Sequence, residues 1–298
     1  MSDFPKWEQK SHAKHWLLFP ENLGEVLCLD EVALSDGELY TILTNAKNKS
    51  QKGSLISIVE GVKSENVIKI LEKIPLEKRN QVKFVSVDMA NNMEKIASDT
   101  FPNASVVTDR FHVAKLVSEV VQTIRIKYRW EAIEKENQLI EKAKESNQKF
   151  VAEIFENGDT EKQLLARSRY LLFKTSKKWT EKQELRAKIL FEKYPEIHQS
   201  YNLSMTFRNI YEHAKSKSDA EIKINDWIKK VEESNIKAFN TAAYSINNHK
   251  DTILNFFPER VTNAMAENFN SKLKSFRAQF RGVKDMDFFL FRVSKIFA

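Results

Sequence analysis

The stretch Glu25–Glu60, EVLCLDEVALSDGELYTILTNAKNKSQKGSLISIVE, decides how the rest of the chain is read. It holds three β-rich runs, Glu25–Asp30, Glu38–Asn45 and Ser54–Glu60, separated by Asp36-Gly37 and Lys52-Gly53. Asp-Gly tolerates the positive φ of a tight hairpin, so the first two runs read as an antiparallel pair, and Lys52-Gly53 marks the next turn. Three strands on short turns predict a meander.

The texture changes downstream. Ser64 precedes a helical pattern, Val67, Ile68, Leu71 and Ile74, with Glu65 early and Pro75 closing it. Val82–Val87 (VKFVSV) is a strand run that ends at Asp88. Asn91 or Asn92 can start a short helix carrying Met93, Ile96 and Ala97, stopped near Pro102. Ala104–Thr108 (ASVVT) is a fifth strand run ending at Asp109, followed by a helix through Phe111, Ala114, Leu116 and Val117. The order β-β-β-α-β-α-β-α implies a mixed sheet whose later strands lie parallel to the first, with helices on both faces. It is the order of an α/β, RNase H-like five-stranded sheet; pattern alone leaves another mixed α/β fold open.

From Arg125 to Phe257 there is one glycine, Gly158, and one proline, Pro195. Leucines recur at helical spacing (Leu164, Leu165, Leu171, Leu172; then Leu185, Ile189, Leu190), so this block reads as an all-helical insertion. The expected organisation is a lead-in over 1–20, the first part of the core over 21–124, the insertion over 125–257, and the last part of the core over 258–298.

Composition narrows the class. The 298 residues are 42% hydrophobic and 30% charged, a globular balance that argues against disorder. No apolar run approaches membrane-spanning length, and no export signal is visible at the start, so a cytoplasmic, nucleoid-associated protein with no membrane partner is expected. Cys28 has no second cysteine to pair with, and with six scattered histidines it does not make a zinc finger. The net charge of +7 suits a polyanionic partner. From Ser271 onward, seven basic residues stand against two acidic ones, so the positive charge is concentrated at that end.

Asp30 and Asp88 each end an apolar β run. In the expected topology those strands are parallel neighbours, which sets the two carboxylates side by side at the carboxyl edge of the sheet, where open α/β sheets bind ligands. Two such carboxylates repel unless one takes a proton or both share a cation. Mg²⁺ suits carboxylate oxygens, and a pair of such ions can serve phosphoryl transfer. Strand-terminating or turn-starting Asp residues are the plainer reading. Glu267 is the candidate third ligand: Asn263 reads as an N-cap, and Glu267, Asn270 and Lys274 share one helical face. The helix dipole alone would also favour an acid there.

Four segments carry a family likeness: Val26–Asn45 (VLCLDEVALSDGELYTILTN), Val85–Met89 (VSVDM), Ser105–His112 (SVVTDRFH) and Thr262–Lys274 (TNAMAENFNSKLK). Together they resemble the DDE transposases of the L-three family of bacterial insertion sequences. The D-R-F-H and N-x-x-A-E-x-F-N-x-K-x-K runs are the specific parts. The resemblance implies an RNase H-like fold with a helical insertion before the last catalytic helix. It also implies Asp30, Asp88 and Glu267 as catalytic, metal-holding acids, with Mg²⁺ or Mn²⁺ as a pair of ions. Asp109, His112 and Asn270 are candidates for the surrounding layer of groups; Asp109 could equally cap the next helix, and His112 could be structural or touch DNA.

The expected activity is that of a DNA transposase catalytic subunit, cutting strands at element ends and transferring them to target DNA, with a homodimer as the active form. An RNase H-like nuclease or resolvase without strand transfer, or a non-catalytic DNA-binding remnant, are the alternatives. Lys272, Lys274, Arg277 and Arg281 are candidate phosphate contacts, and Trp130, Trp179, Trp227 and Phe207 candidate stacking residues, each with a bland reading as solvated face or core. Longer family members resemble two-part proteins with a zinc-binding segment and a helix-turn-helix first. Here Asp30 comes early, so recognition of the ends is expected from a separate polypeptide or from the helical block.

Overall fold

The computed structural model describes residues 3–34, 37–280 and 285–298. The three expected strands of the meander are present as β2 (Val26–Ala33), β3 (Leu39–Asn45) and β4 (Leu55–Glu60), with β1 (Trp16–Leu18) ahead of them. β5 (Phe84–Val87) and β6 (Ser105–Thr108) complete one six-stranded sheet in the order β1-β4-β3-β2-β5-β6. β2, β3 and β4 pair antiparallel, while β5 lies parallel to β2 and β6 parallel to β5. This is the mixed RNase H-like sheet with one strand more than expected. The sixth is β1, from the predicted lead-in: Leu17 is buried, and the short run pairs antiparallel along the outer edge of β4. A three-residue strand is too brief for a period-two pattern to announce it.

The β2–β3 hairpin closes through Leu34 N–H donating to Glu38 O at 2.8 Å, with Gly37 at φ +80°. Asp36 of the expected turn lies outside the described residues. In β4 the register slips where Leu43 and Thr44 pair with Ser57 and Leu55. That bulge inserts Ile56 and lets Leu55 and Ile58 face one core while Ile56 and Val59 face the other.

Helices cover both faces of the sheet. α1 (Ser64–Leu71), the short α2 (Leu76–Arg79) and α3 (Asn91–Thr100) follow the meander. Leu27, Leu29, Val85 and Val87 pack with Val67 and Leu71 of α1 and Met93, Ile96 and Ala97 of α3. Side chains alternate across a strand, so Cys28, Asp30 and Val32 point the other way.

The second unit is helical. α4 (Arg110–Glu145) leads into α5 (Glu161–Arg167), α6 (Glu181–Lys193), α7 (Pro195–His213), α8 (Lys217–Ser234) and α9 (Lys237–Asn248). Thr160 with Gln163, and Thr180 with Gln183, form capping boxes at the starts of α5 and α6. Trp227 and Phe207 meet edge to face at 4.7 Å in its core, and Trp227 Nε1 donates to Leu203 O at 2.9 Å.

After this unit come α10 (Lys250–Leu254), α11 (Phe256–Glu259), α12 (Ala264–Gln279) and α13 (Met286–Phe297). Phe269 and Leu273 of α12, with Phe289, Leu290, Val293 and Phe297 of α13, pack on Val32, Ile42 and Ile58.

The chain divides into two compact units, residues 1–112 with 249–298 and residues 113–248. The return to the first unit comes earlier than the expected boundary at 257. Thr252 Oγ1 lies 2.7 Å from Thr108 Oγ1, and Asn255 Nδ2 donates to Val106 O at 2.8 Å. These polar contacts tie α10 and the residue after it to β6, and hydrophobic periodicity does not register them.

Candidate metal centre

Sheet register builds the site. Leu29 is paired with Val87, and Val87 with Thr108, across the three parallel strands. One residue further on, that row becomes Asp30, Asp88 and Asp109. Asp30 is a correction in detail: it does not end its strand, because β2 continues antiparallel to β3 as far as Ala33, with Asp30 opposite Ile42. It lies just past the last residue of β5, so its position beside Asp88 is retained. Asp109 N–H donates to Val87 O at 2.8 Å, which holds the third acid in line.

α12 roofs this row on the Asp30 side. Burial of Phe269 and Leu273 turns the adjacent face of the helix to the sheet. Asn270 Nδ2 donates to Asp30 Oδ2 at 2.7 Å, and Glu31 N–H donates to Asp30 Oδ1 at 2.8 Å. Asn263, the N-cap position, is fully buried, yet its side chain makes no capping bond. Its backbone N–H donates instead to Asp109 Oδ1 at 3.1 Å. Cys28 is buried beneath, its Sγ 3.9 Å from Thr262 O, and burial pushes its thiol up to about 12, so it stays protonated.

Glu267 and His112 complete the cluster. Ligand atoms of Asp109, His112 and Glu267 all lie within 4.8 Å of one another. His112, in the first turn of α4, places Nε2 3.0 Å from Asp88 Oδ1, an ion-pair distance without hydrogen-bond alignment. The Asp88 carboxylate raises the pKa of the imidazole. All five titratable groups thus stand in one place, with Asn270 beside them.

The electrostatics are those of crowded acids. Asp30 is only 7% exposed, and desolvation, then the charge of Asp88, push its carboxyl up to about 7. Asp109, 2% exposed, is raised chiefly by desolvation, although the backbone N–H groups of Asn263 and Phe111 pull the other way. Glu267 remains open to solvent as a residue; partial desolvation of its carboxylate, then Asp109, raise it as well.

Asp88 Oδ1 and Asp109 Oδ2 are buried and have no hydrogen-bond donor among the described residues. The unpartnered Asp109 Oδ2, and Asp88 Oδ1 with only the misaligned His112 beside it, suit a hard divalent cation in this oxygen-rich pocket, with His112 as a further donor for Mn²⁺. Asp109, expected only in the surrounding layer, stands in the same row as Asp30 and Asp88. Its local signal is a third apolar run ending in Asp, one strand over from Asp88.

The basic candidates fare differently. Arg277 is a correction: it is 7% exposed and forked onto Glu38, with Nη2 2.9 Å and Nε 3.3 Å from the carboxylate oxygens, so it holds α12 to the hairpin. Lys272 Nζ donates to Ser50 O at 3.0 Å, while Lys274 is exposed. Arg281 lies outside the described residues. Of the stacking candidates, Trp227 and Phe207 are core and Trp179 donates Nε1 to Leu171 O, whereas Trp130 is 65% exposed.

The six-stranded mixed sheet, with carboxylates gathered at the ends of its parallel strands, is that of an RNase H-like fold. A family model described as Transposase, that of the ISL3 (L-three) DDE transposases, matches residues 27–293, and the chain belongs to that family. It is also similar to the transposase for insertion sequence element IS1001 of Bordetella parapertussis, 22% identical over 275 residues, or 92% of this chain. The chain spans 61% of that relative's length.

Proposed function

We propose that the protein is the catalytic part of a DDE-type DNA transposase, cutting DNA at element ends and joining the freed ends to target DNA. The observation that carries this reading is the register row Asp30–Asp88–Asp109 facing Glu267. Asp30, Asp88 and Glu267 would hold divalent metal, with Asp109 contributing from the same row. Bound Mg²⁺ or Mn²⁺ supplies Lewis acidity at the phosphodiester and an acidified water.

The protein's own groups do the positioning. Asn270 orients the Asp30 carboxylate by donating to Oδ2, and the Glu31 N–H fixes the other oxygen. His112 sets its imidazole beside Asp88 and, when protonated, limits repulsion among the acids. In cleavage, a water oxygen attacks phosphorus, the P–O3′ bond breaks, and the 3′ oxygen leaves as a hydroxyl. In transfer, that hydroxyl attacks a target phosphodiester and displaces its 3′ oxygen, conserving the number of phosphodiester bonds. Lys272 and Lys274 are both exposed on α12, and Lys274, free of the Lys272–Ser50 bond, is the candidate for a phosphate contact.

The test uses the full chain with labelled duplexes taken from the DNA flanking its coding sequence, in Mg²⁺ or Mn²⁺. Cleavage and joined products are expected, and Asp30→Asn, Asp88→Asn and Glu267→Gln should each fall to background. Joined products separate transfer from cleavage alone. Full cleavage by all three variants would remove the catalytic assignment.

A further inference from the structure

The second unit contains a basic cluster that the metal centre does not use. Arg125, on α4, is 4% exposed. Its Nε donates to Gln122 Oε1 at 2.8 Å and its Nη1 to Leu165 O at 2.9 Å. Both acceptors are neutral, and among the described residues no carboxylate pairs with this guanidinium. Burying a cation without a counter-charge is costly, and neutral acceptors satisfy its hydrogens without cancelling its charge.

The neighbours make the imbalance larger. Arg129 follows one helical turn after Arg125, on the same stripe. Gln122 also donates Nε2 to Arg169 O at 3.1 Å, which pins the segment after α5 against α4. Arg169 is exposed, its guanidinium 5.4 Å from the Tyr170 ring. Burial first, and then the like charges of Arg129 and Arg169, lower the pKa of Arg125. Glu131 is two residues from Arg129 and so does not face it along α4, and its charge acts on Tyr128 and Tyr194. Arg129, one turn on along α4, and Arg169, pinned there through Gln122, thus flank the buried Arg125, and both are open to solvent.

We infer that Arg125, Arg129 and Arg169 form an anion site on the helical unit that takes the phosphodiester backbone of DNA. Arg129 and Arg169 would contact phosphate directly, and Arg125 would raise the local positive potential from behind them. The choice of DNA among polyanions rests on the function proposed above. The site would anchor DNA through the helical unit, irrespective of base sequence.

Binding of the full chain to labelled DNA, single-stranded and duplex, is measured in chelator over a series of salt concentrations. Arg129→Glu/Arg169→Glu is the informative variant, since both residues are exposed; Arg125 is too buried to change without endangering the fold. An unchanged thermal midpoint will verify its folding. Loss of about two phosphate contacts should flatten the log–log salt slope by roughly 2 on duplex and weaken binding about tenfold or more. Affinity and slope equal to the parent's on both DNAs would overturn the site, as would capture of polyglutamate in preference to DNA. Asp88→Asn is measured alongside. If the chain fails to cleave yet its binding still depends on Arg129 and Arg169, only the catalytic reading falls; intact cleavage with charge-insensitive binding removes only this site.

Discussion

At Asp30 several forces act on one proton. Desolvation and the Asp88 charge favour the neutral acid, while the Glu31 N–H and His112 favour the carboxylate, and the balance lies at about 7. An unfolded Asp titrates at about 4, so the folded protein binds this proton more tightly. The stabilisation is complete below about pH 4 and is lost as pH rises through about 7. The raised Asp109, Glu267 and His112 act in the same sense. Acids with lowered pKa, such as the Asp159 held by Arg186 and Arg167, act below that window. In chelator, the thermal midpoint should therefore fall between about pH 4 and about pH 7, and Asp30→Asn should flatten that fall. A midpoint that rises over the same range would contradict the crowded-acid account. The sequence exposes Asp30 and Asp88 because each comes directly after a run of apolar β residues. It does not rank Asp109 with them, because rank depends on which strands are adjacent.

Among the elements, α12 carries the consequence. Its apolar pair Phe269 and Leu273 seats the helix on the sheet and thereby fixes where Glu267 and Asn270 point. Phe269→Ala should cost about 3–5 kcal/mol, read from urea unfolding, because the residue is fully buried against Phe297 at 4.8 Å. Its metal affinity should fall together with stability, whereas Lys274→Ala should leave stability within about 0.5 kcal/mol. If Phe269→Ala were as stable as the parent, the seating of the helix would have another cause. The same helix shows why a charge count misleads. Arg277 lies one turn beyond Leu273, so it falls on the buried side and meets Glu38 instead of solvent. Helical phase decides that, and Glu38 is supplied by a hairpin distant in sequence.

For the whole molecule, metal and folding should be linked. The folded state gathers acids that the unfolded chain keeps apart, so saturating Mg²⁺ or Mn²⁺ should raise stability by RT ln(1 + [L]/Kd), about 2.7 kcal/mol at one hundred times Kd. Differential scanning calorimetry with and without chelator checks this, and Asp30→Asn with Asp88→Asn should abolish the shift. An equal shift in that double variant would place the stabilising ion elsewhere. Among the described residues no helix is long and apolar enough to cross a membrane.

The amino-acid sequence by itself determined the strand order of the meander, the parallel strands ending near Asp88 and Asp109, the helical block and the family motif around Glu267. These follow from local period and turn chemistry, which neighbouring residues set among themselves. Tertiary structure decided the edge strand β1, the point where the chain returns to the sheet, the burial of Arg277 and the unneutralised Arg125. Each of these depends on a partner far along the chain, and no local pattern records a partner. The carboxylate row lies between the two cases: each member comes directly after a recognisable apolar β run, but only the register Leu29–Val87–Thr108 brings them abreast.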